Sequence, residues 1–158
     1  MKRVCIQTAA ILMIMGLLAG AEELFFRKVD YLVVENEEYK KYDVRFIFTE
    51  DTLVVAHEKK PEKKTYLAIP FTAVTDLSYE RSAHRRPVPL GAPGLGNLPE
   101  YRHWLTIEYR LSRAAAEDQF AYFRLDKDNC QAILDTLAAR CGIRVMHKPS
   151  RANNPYIF

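Results

Sequence analysis

The sequence predicts a mainly β domain, seven short antiparallel strands forming a barrel or orthogonal sandwich that one C-terminal α-helix closes. Three observations lead there. Apolar and polar residues alternate in short runs, turn-forming residues separate those runs, and one late stretch switches to helical spacing. In that stretch, residues 125–142, Cys130, Ile133, Leu134, Leu137, Ala138 and Cys141 stand at offsets of 0, 3, 4, 7, 8 and 11. They lay one stripe along a 3.6-residue helix, with Gln131, Asp135 and Arg140 facing away. Asp126 or Asp128 is placed to accept from the first free amides, and Gly142 to take a left-handed stop. A helix with one apolar stripe needs a sheet to lie on, and nearly everything before it reads as strand.

The amino terminus is a separate object. Lys2 and Arg3 precede an apolar run over residues 9–18, and Ala19, Gly20 and Ala21 supply the small residues of a cleavage site. A bilayer needs ~20 apolar residues, so the run reads as a cleaved secretory signal over 1–21 rather than an anchor. The expected layout is a domain over 22–146 and a fraying tail over 147–158, exported to the periplasm or beyond. Without Lys2 and Arg3, 21 basic residues stand against 20 acidic ones, a balance that argues against a nucleic-acid partner. Of the remaining cysteines, Cys130 and Cys141 lie ~16 Å apart along a helix, too far for a disulfide, and read as small core hydrophobes.

Tyr31-Leu32-Val33-Val34 makes the first strand, and residues 35–41 a polar turn. Val44, Phe46 and Phe48 then alternate with Arg45, Ile47 and Thr49, and an acidic turn leads into Leu53-Val54-Val55-Ala56 as a hairpin. Residues 58–64 are a solvated, lysine-rich loop whose Glu58 and Glu62 halve its field. Tyr66-Leu67-Ala68-Ile69 is a strand ended by Pro70, and residues 74–79 alternate again. Residues 82–102 read as a long insertion, holding Pro87, Pro89, Pro93 and Pro99 with Gly91, Gly94, Gly96 and Asn97. The aromatic and β-branched run over residues 103–109 is the most strand-like in the chain. A polar turn over residues 112–118 precedes the last strand, residues 120–125. The strand aromatics Phe46, Phe48, Tyr66, Tyr79, Tyr109, Tyr122 and Phe123 are read as core, with Trp104 the one whose exposure matters.

This order resembles the pleckstrin-homology-like (PH-like) domains of small exported bacterial proteins. The resemblance covers residues 29–145. It is carried by Ile69-Pro70-Phe71, by Val74-Thr75-Asp76-Leu77-Ser78-Tyr79-Glu80-Arg81-Ser82, by His103-Trp104-Leu105-Thr106-Ile107 and by Leu125-Asp126-Lys127-Asp128-Asn129. It implies a binding or scaffolding module without chemistry of its own. It departs from the phosphoinositide-binding members at Asp43, where another cation is wanted beside Lys40, Lys41 and Arg45.

If residues 74–81 and 103–110 are antiparallel neighbours, Arg81, His84, Arg85, Arg86, Arg102 and His103 gather at the base of the insertion. Converging guanidinium groups grip carboxylate or phosphate, so this cluster is the candidate binding site; its plain alternative is a solvated surface partly paired with Glu80 and Glu100. The partner expected there is a protein or peptide, and the alternative is an anionic lipid head group. His57, His84, His103 and His147 lack metal-ligand spacing, and neither a nucleophile elbow nor a phosphate loop is present. No metal, no cofactor and no enzymatic activity are therefore expected.

Overall fold

The computed structural model describes residues 23–35, 38–85, 99–111 and 117–149. The expected signal over 1–21, Arg86 and the middle of the long insertion, and residues 150–158 lie outside them. Eight strands follow one another: β1 (Leu24–Glu35), β2 (Glu38–Phe48), β3 (Thr52–His57), β4 (Thr65–Pro70), β5 (Val74–Arg85), β6 (Pro99–Tyr109), β7 (Gln119–Leu125) and β8 (Met146–Lys148). A single 3-10 turn, Phe71–Ala73, joins β4 to β5, and helix α1 (Cys130–Cys141) separates β7 from β8.

The strands form one sheet in the order β4-β3-β2-β1-β7-β6-β5-β8. The expectation of seven antiparallel strands closed on themselves is corrected in three respects. Among the described residues the strands number eight, β5 and β8 are parallel, and the sheet is open, with β4 and β8 at its two edges. The parallel pair has a simple cause. Helix α1 is a crossover: it carries the chain back across the core so that β8 runs in the direction of β7, hence of β5. Met146–Lys148 thus adds a strand where the tail was expected to begin fraying.

Strand alternation sorts the residues between two faces. Phe46, Phe48, Leu53, Val55, Ile69, Leu77, Leu105, Ile107 and Phe123 are buried on the inner face. Cys130, Ile133, Leu134 and Leu137 of α1 are buried in the same core, and Ile143 and Val145 pack against it from beyond the helix. Asn129 is the N-cap and makes no side-chain capping bond. Asp126 acts one turn earlier: its carbonyl accepts from the Asn129 and Cys130 amides and its Oδ1 from the Asp128 amide. Gly142 takes the left-handed C-cap at φ 66°, as the sequence predicts.

One row of partners leads directly to the site. Across five strand pairings Val44, Val29, Leu125, His103 and Arg81 stand side by side, with His57 beyond Val44. The row starts apolar and buried and turns polar at His103. The inner face therefore continues past the end of the core, and what lines it there is cationic.

Candidate functional site

The predicted neighbours are neighbours. β5 and β6 pair from Val74↔Tyr109 to Arg85↔Pro99, with Arg81 opposite His103 and Ser82 opposite Arg102. The two ends of the stretch read as insertion, residues 82–85 and 99–102, thus form a two-stranded ribbon. Of the six candidate residues, Arg81, Arg102 and His103 line one cleft. His84 and Arg85 continue β5 toward the end of the ribbon, and Arg86 lies outside the described residues.

The cleft holds about 1040 Å³ and opens where β7 leaves the sheet. Tyr101, Arg102 and His103 of β6 and Arg81 of β5 form one wall. Lys28, Val29 and Asp30 of β1, with Asp43 and Glu58, form the other, and residues 124–127 make the floor. Sequence reading missed Tyr101, Lys28, Asp30, Asp43, Glu58, Asp126 and Lys127. The lysine-rich turn contributes only Glu58; Lys59, Lys60, Lys63 and Lys64 do not line the cleft.

Five cations and four carboxylates face this space, and which of them are already engaged decides its character. Asp30 pairs with Arg124, its strand neighbour, and with Lys41 at 3.5 Å. Asp43 shares the same Lys41 Nζ at 3.6 Å. Glu58 Oε1 accepts from the Lys28 amide at 3.2 Å, and Asp126 is occupied in the turn before α1. Lys28 itself sits in the left-handed region, φ 58°, within the bulge that bends β1 between Phe26 and Val29. On the opposite wall the Arg81 guanidinium lies over the Tyr101 ring at 3.7 Å, a cation–π contact. Among the described residues neither Arg81 nor Lys127 has an ion-pair partner. Each acid is already engaged from within, while Lys28, Arg81 and Lys127 have no ion-pair partner among the described residues, so the residual field attracts an anion. Glu80, expected as a partner for this cluster, stands opposite Trp104 on the outer face, and its Oε1 is buried without a hydrogen-bond partner.

His103 is held between core and cleft. It shares a 2.6 Å hydrogen bond through Nδ1 with the Tyr79 hydroxyl, and the two rings stack at 6.0 Å. Burial raises the Tyr79 phenol to about 12, so it stays protonated at neutral pH. Burial first, and the Arg81 charge second, lower the His103 pKa below its ordinary value, with Asp126 opposing them. A depressed folded-state pKa gives stability that is complete above the unfolded value near 6.5 and is lost as pH falls through the folded value. Across that range, as pH falls from the unfolded value, the wild-type chain is expected to lose stability faster than His103→Gln, as read from urea midpoints at a series of pH values. Parallel midpoints for the two chains would show that His103 titrates as it does when unfolded.

Cys130 is buried and Cys141 half-buried, both free and both raised in pKa by burial, which makes them packing residues as expected. Trp104 is half-buried and donates through Nε1 to Ser82 Oγ at 2.9 Å. Among the described residues no three His, Cys, Asp or Glu side chains converge as a metal site would require, and no helix is long and apolar enough to cross a membrane.

Fold and site together define a mainly β domain, with one α-helix among the described residues and a charged cleft at the end of one strand. No family model and no curated protein matches the chain. Among solved structures it is similar to the hSac2 domain from human phosphoinositide phosphatase Sac2, at 14% identity and TM-score 0.43, over 92% of this chain and 89% of that one. The expectation of a module without enzymatic activity is corrected by this finding, because the similar domain comes from a phosphatase; the non-enzymatic assignment is withdrawn. A likeness of that strength assigns no activity, substrate or residue role to this chain.

Proposed function

We propose that this chain is an exported binding or scaffolding module of the PH-like kind whose cleft takes an acidic segment of a protein or peptide. The PH-like part of this reading rests on the seven hairpin-ordered strands followed at once by a helix that seals the core; β8 is an addition to that plan. The binding part rests on one observation. Arg81 lines the cleft with the Tyr101 ring against it and, among the described residues, no ion-pair partner, while the neighbouring carboxylates are already engaged. A guanidinium presented this way forms paired, charge-assisted bonds to a carboxylate.

A fluorescently labelled heptapeptide of alternating glutamate and valine tests it by anisotropy at low ionic strength. Arg81→Glu is expected to weaken binding tenfold or more, since one charged hydrogen bond contributes about 1.5–3 kcal/mol and repulsion replaces it. Added salt weakens it further. Unchanged affinity in Arg81→Glu would move the site elsewhere. Vesicles containing anionic lipid are the second arm: Arg81-dependent binding of vesicles without binding of the peptide would favour a head group as the ligand.

A further inference from the structure

The cleft has a shape that narrows what it can hold. β6 pairs with β7 from Tyr109↔Gln119 only as far as His103↔Leu125, yet β6 continues to Pro99 with β5 the only strand of the described residues beside it. On the other side of β7, β1 likewise runs past Val29 to Leu24, paired with β2 alone. The two strands that flank β7 stand two strand spacings apart, about 10 Å, which is the width one strand fills. Beyond Leu125 the chain no longer fills it, because the turn that starts at Asp126 diverts the backbone into α1. The cleft lies in that gap, with Tyr101, Arg102 and His103 on one bank and Lys28, Val29 and Asp30 on the other.

The two banks are not equivalent. On the β1 side Asn129 Nδ2 donates to the Arg27 carbonyl at 3.1 Å, so the turn before α1 already covers that backbone. On the β6 side, among the described residues, the ladder ends at His103. Main-chain groups along a strand edge with no strand beside them are a template for pairing.

We propose that the cleft binds its peptide as an added strand, laid along the β6 edge over residues 99–102 in the line that β7 abandons. The inference rests on the anion-binding reading of the same cleft and specifies its geometry. An added strand turns alternate side chains to opposite faces. One set meets Arg81, Tyr101 and His103, which lie on the inner-face side; the other meets Arg102 and Arg124 on the outer side. Arg81 is the guanidinium on the inner side without an ion-pair partner among the described residues, so the ligand is an extended segment with a carboxylate at the alternate positions that face it.

The test uses the full chain and the glutamate–valine heptapeptide together with two backbone-methylated versions of it. One version carries N-methyl groups at the odd residues and the other at the even residues. A strand points alternate amides at its neighbour, so one version is expected to bind at least tenfold more weakly than the parent and the other about equally. Bound parent peptide is also expected to slow amide hydrogen exchange at Tyr101, whose amide lies on the side of β6 away from β5, two steps of alternation beyond His103. If both methylated versions bind like the parent while Arg81→Glu still abolishes binding, strand addition is overturned and the anion site stands. If the parent shows no saturable binding, or binds Arg81→Glu equally well, the underlying reading of the cleft fails and this one with it.

Discussion

Leu134→Asp is expected to abolish the cooperative unfolding transition. Leu134 is 3% exposed, between Ile133 and Leu137, which are fully buried. Losing its burial removes about 1.5–3 kcal/mol, and an unpaired carboxylate in the same place costs several more. Small domains have only about 5–15 kcal/mol in total. Helix α1 has 12 residues, too few to persist alone in water, so undocking it means melting it. The sheet would then show Phe46, Phe48 and Phe123 to solvent. Near-ultraviolet circular dichroism should flatten, and a dye that binds exposed apolar surface should report the opened core. Ala132→Asp, on the exposed side of the same helix, is the control and should change stability by no more than about 0.5 kcal/mol. A sharp native-like transition in Leu134→Asp would mean that the sheet stands without its helix.

That helix was the most legible part of the chain, because a buried stripe leaves a periodic mark in sequence. Cys130, Ile133, Leu134 and Leu137 are buried as the spacing predicts. The ribbon was illegible for the opposite reason. Residues 82–85 and 99–102 pair with each other beyond Leu77 and Leu105, the last buried apolar residues of β5 and β6, so no alternating apolar pattern marks them. Arginine, serine, histidine and tyrosine in that setting look like loop. β8 is three exposed residues held by backbone pairing and one ring contact, His147 edge-on to Tyr79 at 5.3 Å, and it too leaves no pattern. Half of the cleft could be read from adjacency, since two hairpin strands bring Arg81 to His103. The other wall could not. Asp30, Asp43 and Glu58 reach the cleft only because β1 lies next to β7, strands about a hundred residues apart in sequence, and no local signal encodes that pairing. The same ignorance hid which charges were already satisfied. The net charge of the chain is nearly balanced, while the local balance in the cleft depends on Lys41 and Arg124 being used by Asp30.

The aromatic residues show the limit of composition most sharply, and they supply the second large effect. Tyr122 and Phe123 were both assigned to the core, yet consecutive residues of a strand face opposite ways. Phe123 faces in: it is fully buried, stacked on Tyr31 at 5.1 Å and edge-on to Phe46 at 4.8 Å. Tyr122 faces out, half exposed and stacked against the equally exposed Phe120. Phe123→Ala is expected to destabilise the domain by about 3–5 kcal/mol, through lost burial and a cavity at the meeting of β1, β2 and β7. Tyr122→Ala, one residue away, should cost about 1 kcal/mol or less, the scale of a strand preference at an open surface. Urea midpoints of the two variants, with equal slopes, measure the difference directly. Comparable losses would place Tyr122 against a partner surface inside the molecule and reverse the assignment of the two faces of β7. A separation of several kcal/mol would fix the faces of β7, and with them the side of the sheet on which Leu125, His103 and Arg81 meet the cleft.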